Sequence, residues 1–286
     1  MFNFIMQPFG VAMKFIYEQL AFQNYGLAII FFTLFVKILL FPLNLKQQKS
    51  TLRTQALQPE LEALKRVCGD DQQLLMQEQQ KLYTKYGVNP MSGCLPTLIQ
   101  FPIIIGVYNI VIKPLTYLAE VTDIAKLIEL SGITTKNTAE LFVNSHFLAH
   151  PELITSEVKA VMGDGNFINM TFLKIFDLGI RPTACFNNGI VWKYVPLLLI
   201  PIITLLSQYV MQWMSNPNKG KKNKGKKEVD PTTRSMNSML KIMPLMTFVI
   251  ALTTPAGLGF YWVVSNLLTL LQTYLINKFF IDKKEG

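Results

Sequence analysis

The sequence predicts an all-α integral membrane protein. It is read as a bundle of five transmembrane helices around a hydrophilic groove, with a cytoplasmic helical hairpin and an N-terminal interfacial amphipathic helix. Three observations predict it. Half of the 286 residues are hydrophobic and 16% are charged, against about 25% charged in an ordinary soluble domain. The mean hydropathy is +0.30, and the apolar residues gather in long runs divided by very polar stretches, as in a chain that crosses a bilayer several times. Basic residues crowd into alternate connections, as the positive-inside rule requires. This composition excludes a disordered chain, a secreted disulfide scaffold and most cytosolic enzymes.

Residues 1–22 are apolar but carry Lys14, Glu18 and Gln19. Phe9, Met13, Ile16, Tyr17 and Leu20 recur at roughly helical spacing, broken at Pro8. That pattern predicts an amphipathic helix lying in the membrane interface. A signal peptide would need basic residues first and a small-residue cleavage site, and neither is present. The first span is predicted over 23–45, the second over 93–115 and the third over 191–213. The fourth and fifth fall within 236–279, with Thr254 and Pro255 as a tight turn between them.

The connections set the orientation. Segments 46–92 and 214–235 each hold seven basic residues, and Lys283 and Lys284 sit in the tail 280–286. Segment 116–190 has five basic residues against eight acidic ones. With five spans, the two basic segments and the C-terminus share the cytoplasmic side. The N-terminus and the 116–190 loop then face outward.

Within 46–92, Leu52, Leu57, Leu61 and Leu64 recur at helical spacing, and Cys68-Gly69-Asp70-Asp71 is a turn. A second helix runs over 72–86, ended by Gly87 and Asn89-Pro90. Arms of 15–20 residues would project about 25–30 Å. Pro59 belongs in a first helical turn or kinks its arm. The pattern alone suits a spacer and a docking arm equally. The lysine-rich run over 216–227 is too polar to form a core. It would touch solvent or anionic lipid, with ribosomal RNA as the other phosphate-bearing candidate. In the outer loop, helical pattern shows over 121–130 and 138–148, and Gly163-Asp164-Gly165-Asn166 is a turn. His146 and His150 are four apart, but no carboxylate motif accompanies them, so two solvated histidines are expected and no metal site. Cys68, Cys94 and Cys185 are far apart and show no CxxC spacing, so they imply neither disulfide nor zinc.

No catalytic constellation and no nucleotide loop appear, so neither enzyme chemistry nor a cofactor is expected. The chemically distinctive residue is Lys37, about 18 Å from one end of its apolar run and about 12 Å from the other. A lysine there costs about 2.5–3.5 kcal/mol on insertion scales and usually faces a bundle interior or a wet cavity. Snorkelling of its stem towards the interface is the plainer alternative. Thr33 and Asn44 lie near its helix face, and Pro42 frees a carbonyl on the turn above and can bend the helix. Gln100, Tyr108 and Asn109 in the second span, Ser207 and Gln208 in the third, and Tyr261, Ser265, Asn266 and Gln272 in the fifth supply further polar groups. Pooled, they would line a groove around the cation. No acidic residue lies within the five spans to pair with it.

Several linked motifs carry a family resemblance. They are TLFVKILLFPLNLKQQKS followed by ALQPEL, KYGVNPMSGCLPTLIQFPIIIGVY, FLKIFDLGI, and MPLMTFVIALTTPAGLGFYWVVSNLLTLLQTY. In this order they resemble the YidC membrane insertases, the bacterial branch of a superfamily with mitochondrial and chloroplast members. The resemblance covers nearly all of 22–280. It implies a groove open to the cytoplasm and lipid and closed on the outer side. It implies that Lys37 stands where the family usually has an arginine thought to attract acidic residues of an arriving substrate. Thr33 and the Tyr261-Trp262 pair match positions associated with the groove and with substrate contact. The 46–92 hairpin matches the loop thought to receive the nascent chain. The partners implied are nascent membrane proteins and the lipid bilayer, with the ribosome and the Sec translocon as further candidates and no DNA. A multi-pass location in a bacterial plasma membrane follows. Lysine in place of arginine keeps the charge but loses the planar fork. The large periplasmic domain of Gram-negative members and the lipobox cysteine of some Gram-positive ones are absent. A small transporter or channel is the rival reading. It would usually show an internal repeat of spans, and the unequal connections do not pair up. A scaffold for other subunits is a third reading, and it would tolerate loss of Lys37.

Overall fold

A computed structural model describes residues 3–69, 71–88, 95–133, 138–186, 189–214 and 231–281, leaving aside the side chains at 3–6, 95–99, 231–241 and 280–281. The lysine-rich run at 216–227, the Asn89-Pro90 stop, Asp70 of the hairpin turn, Cys94 and the last five residues lie outside the described residues. The chain is mainly helical, as an apolar segment must be if its backbone polar groups are to pair within the segment.

Helix α1 (Asn3–Phe15) continues into a π-helical turn, Ile16–Leu20. Pro8 sits inside α1 rather than ending it. Met13, Ile16 and Tyr17 are buried in the core, where α1 packs against the helices described next as α2, α6 and α7. Val11 and Phe15 are exposed on its other side.

Helix α2 (Tyr25–Leu39) opens on Asn24, whose side-chain oxygen accepts the Leu27 N–H at 3.0 Å. The sequence predicts one span over 23–45 that Pro42 can bend, and the helix breaks at Leu40. Helix α3 (Phe41–Ala56) leaves at 64°. The cause is Pro42 in the first turn of α3: it has no N–H for the carbonyl four residues back, and its ring crowds that carbonyl. α4 (Gln58–Cys68) and α5 (Gln72–Lys85) pack together as a helical hairpin. Pro59 lies in the first turn of α4, and Asp71 caps α5 by accepting the Leu74 N–H. Leu57, Leu61 and Leu75 are buried here, and Tyr86 donates to Glu60 at 2.8 Å across the arms.

Helix α6 (Leu95–Ile112) is followed by the short α7 (Pro114–Tyr117). The following segment folds into a small cap of α8 (Ile124–Ser131), α9 (Ala139–Ala149), α10 (Ser156–Met162) and a two-stranded antiparallel ribbon, β1 (Thr171–Phe172) with β2 (Phe176–Asp177). The cap packs at the Tyr25 end of α2, away from the hairpin. Helix α11 (Leu199–Met214) is preceded by a 3₁₀ stretch, Trp192–Leu198, that contains Pro196. Helices α12 (Pro231–Thr253) and α13 (Ala256–Ile276) meet at a turn of two residues.

Trp192–Met214 and Ala256–Phe279 are each long and apolar enough to cross a membrane, and the bent pair α2–α3 makes a third if counted as one span. Two shorter apolar stretches, Gln100–Ile112 and Ile242–Thr253, lie beside them. One core runs through the assembly, with Tyr25, Phe32, Leu115, Leu178 and Tyr261 almost fully buried.

Candidate functional site

A polar seam runs between the bent α2–α3 unit and α13. The Lys37 ammonium donates to the Thr269 hydroxyl at 2.8 Å, and that hydroxyl donates onward to the Ser265 carbonyl at 2.7 Å. Two turns further on, Asn44 Nδ2 donates to Gln272 Oε1 at 3.3 Å. Gln48 Nε2 then donates to Asn277 Oδ1 at 3.3 Å. Lys37 is half-buried, and no ion pair to it is present among the described residues. Its charge is therefore met by a hydroxyl dipole and not by a carboxylate.

The other groups expected at the site divide into three kinds. Gln100 and Tyr261 are joined across α6 and α13, Nε2 donating to the phenol oxygen at 2.7 Å, and Tyr261 is 1% exposed. Asn266 reaches α11 by donating to the Ser207 hydroxyl at 2.8 Å. Together with Lys37 and Asn44, these residues tie α13 to α2, α3, α6 and α11. Thr33 and Asn109 instead bond their own helices, Thr33 to the Ile29 carbonyl at 2.6 Å and Asn109 to the Ile105 carbonyl at 2.8 Å. Trp262 is buried in the core, Tyr108 packs against it, and Gln208 is half-buried beside Ser207.

Thr269 is the residue that the sequence reading missed. Its signal was available: Tyr261, Ser265, Thr269 and Gln272 follow the i, i+4, i+8, i+11 spacing of one helix face. A lone threonine is unremarkable in an apolar span, so the stripe shows only when all four are read together.

At the Tyr25 end of α2 the cap packs against the start of α13. Helix α13 begins at Pro255, which makes no side-chain cap. Its first free N–H groups are instead taken by the cap backbone, Ala256 by the Ile180 carbonyl at 2.9 Å and Gly257 by the Leu178 carbonyl at 2.7 Å. This satisfies donors that a helix start leaves orphaned. Phe172 packs at a tilt against Phe260 with centroids 5.1 Å apart and lies over Gly26 of α2, where a Cβ would collide with its ring. Gly26 thus lets α2 and the ribbon approach. Inside the cap, Glu140 accepts the Thr116 N–H at 2.9 Å and its hydroxyl at 2.8 Å. Burial pushes the Glu140 carboxyl above the usual carboxylate range, opposed by those two hydrogen bonds and by the charge of Lys113. Burial raises Asp177 as well, against the hydrogen bond from the Gly179 N–H. A polar cavity of about 500 Å³ lies beside the cap, lined in part by Lys14, Glu18, Glu120 and Asp164. His146 and His150 have ring centroids 5.3 Å apart, and His150 pairs with Glu152. No group of three or more metal-ligating side chains is present among the described residues.

The chain matches the family model of the 60Kd inner membrane protein over residues 15–284. The chain belongs to the 60Kd inner membrane protein family. It is 32% identical to the membrane protein insertase YidC of Oceanobacillus iheyensis, over 92% of this chain and 78% of that protein. It is 29% identical to the membrane protein insertase MisCA of Bacillus subtilis, over 96% of this chain and 78% of that protein. The inner membrane ALBINO3-like protein 2, chloroplastic, of Chlamydomonas reinhardtii is 34% identical over 88% of this chain. The chain spans 50% of the length of that algal relative. The resemblance to the YidC insertases, read from the motifs, therefore stands, and with it the location in a membrane.

Proposed function

We propose that this protein is a membrane insertase that takes up newly made membrane proteins and helps them fold. Five spans enclose a hydrophilic groove: the bent α2 with the start of α3, α6, the 192–214 helix, the apolar part of α12, and α13. The N-terminus and the cap face outward, and the α4–α5 hairpin and the C-terminus face the cytoplasm. Helix α1 lies along the outer interface. The hairpin receives the nascent chain, and the ribosome and the Sec translocon are candidate partners.

The observation that carries this reading is the Lys37 ammonium held by Thr269 between helices. A cation fixed on the inside of a bundle draws an acidic flank out of bulk water. It thereby shortens the stretch of hydrocarbon that the flank must cross. The substrate's apolar segment partitions into lipid along the bundle, at about 25 cal/mol per Å² of apolar surface removed from water. A potential negative inside pushes an acidic flank outward by about 2.3 kcal/mol per charge per 100 mV. Attraction to Lys37 thus assists the approach and the field assists the exit. No nucleotide hydrolysis is required.

Complementation of an insertase-depleted bacterium tests this. Lys37→Ala should impair insertion of substrates with acidic flanks, and Lys37→Arg should preserve it. Equal insertion by the wild type and both variants would remove the charge from the mechanism. Solute flux in liposomes without rescue of the depleted strain would favour a transporter instead.

A further inference from the structure

Among the described residues, two buried amide nitrogens beside Asn44 have no hydrogen-bond partner. Gln47 is 7% exposed, and its Nε2 is unpaired, as is that of Gln272. Gln272 is fixed from its other side, because Asn44 Nδ2 donates to its Oε1. Turning both amides over would keep that bond but leave Gln272 an unpaired oxygen in place of the N–H, so one polar atom stays unmatched either way. Gln47 lies one turn along α3 from Asn44, and its neighbour Gln48 bonds Asn277 beyond α13. The two amides therefore sit where α3 packs on α13 and α6, just past the bend below Lys37.

Unpaired buried donors are rare in native proteins, because each loses its water without replacement. Two around one asparagine, next to the seam that holds the cation, fit a site whose acceptor arrives with a guest. We propose that Gln47 and Gln272 are a docking site for main-chain carbonyl oxygens of an extended polypeptide. The donors are neutral, so they do not select for negative charge, and a peptide offers a carbonyl at every residue whatever its side chains. Lys37 would then read the charge of a flank while the amides hold its backbone. This rests on the insertase reading and deepens it by naming what the polar end of the groove recognises.

The test uses the full chain in an insertase-depleted strain and two stalled substrates, one with an acidic flank and one with a neutral flank, each carrying a photo-crosslinker in that flank. Gln47→Met removes the unpaired donor at nearly constant length. Gln272→Glu keeps an acceptor for Asn44 and replaces the unpaired N–H with an oxygen; because it also adds a negative charge, it is read on the neutral flank alone, and its insertion of that flank's host checks that it folds. Each should lower cross-linking of the neutral flank by about threefold to tenfold, the net worth of one hydrogen bond. Gln47→Met should also unfold at a temperature no lower than the wild type. Unchanged cross-linking by both variants would overturn the proposal. A loss confined to the acidic flank in Gln47→Met would overturn it too, giving the amides to carboxylates. Loss of a co-purifying phospholipid with unchanged cross-linking would give them to lipid. Failure of the wild type to insert either substrate would instead defeat the insertase reading underneath.

Discussion

The contact between Gly26 and Phe172 joins the cap to α2, and a double-mutant cycle measures it. In Gly26→Ala the new Cβ would stand 2.9 Å from Phe172 Cβ and closer still to the ring. The ring must move, and such overpacking costs about 1–3 kcal/mol. Alanine in place of glycine in a helix returns about 1 kcal/mol. The single change should therefore destabilise by about 0–2 kcal/mol. On a Phe172→Gly background both the ring and the Cβ are gone, so the same change should stabilise by up to about 1 kcal/mol. The coupling between the two sites is then about 1–3 kcal/mol. Unfolding of the four proteins in one lipid–detergent mixture reads it. Additivity within about 0.5 kcal/mol would show that the ribbon does not rest on α2. Protease sensitivity of the 116–190 segment is the companion measurement, and it should rise in Phe172→Gly.

Three further outcomes are expected. Burial raises the Glu140 carboxyl in the fold, so folding favours its protonated form relative to the unfolded chain. The contribution is complete below the unfolded-state value and is lost as pH rises through the raised one. Hydrogen exchange of the cap should therefore quicken with rising pH in the acidic range. Glu140→Gln, which can keep both contacts to Thr116, should flatten that dependence, and an unchanged slope would remove Glu140 from it. Tyr25 is completely buried and its hydroxyl has no partner among the described residues. Tyr25→Phe should leave thermal stability unchanged or raise it by about 1 kcal/mol, and a clear loss in a thermal melt would mean that the hydroxyl is bonded. Complementation by Lys37→Arg but not by Lys37→Ala is the third, read on substrates with acidic flanks.

Hydropathy made the long apolar stretches legible, because crossing hydrocarbon demands continuous apolar residues. The helix over 256–276, the cap helices near 124–131 and 139–149, and Pro59 in a first helical turn all follow from local pattern. The break at Leu40 does not come from hydropathy, since both sides of it are apolar. It comes from Pro42, and its angle depends on how α3 packs on α6 and α13. At the site, Lys37 stands out by charge alone, and Asn44, Gln100, Tyr261 and Asn266 stand out as polar groups in apolar runs. Their partners do not. The pairing of residue 37 with 269, or of 44 with 272, joins positions more than 200 residues apart, and only the fold brings them together. The cap's hold on α13 was illegible for a related reason. Backbone carbonyls of Leu178 and Ile180 do the capping, and any residues could supply them. Thr33 and Asn109 show the converse, since polar groups in a span can be satisfied by their own helix.

Charge reversal at Lys37 tests the central claim most directly. Lys37→Glu would be compared with the wild type for insertion of two substrates that differ only in whether the translocated flank is acidic or basic. The account predicts that Lys37→Glu loses the acidic-flank substrate and gains the basic-flank one. Equal loss of both would mean that position 37 matters only for folding, and no change in either would mean that the ammonium never meets a substrate.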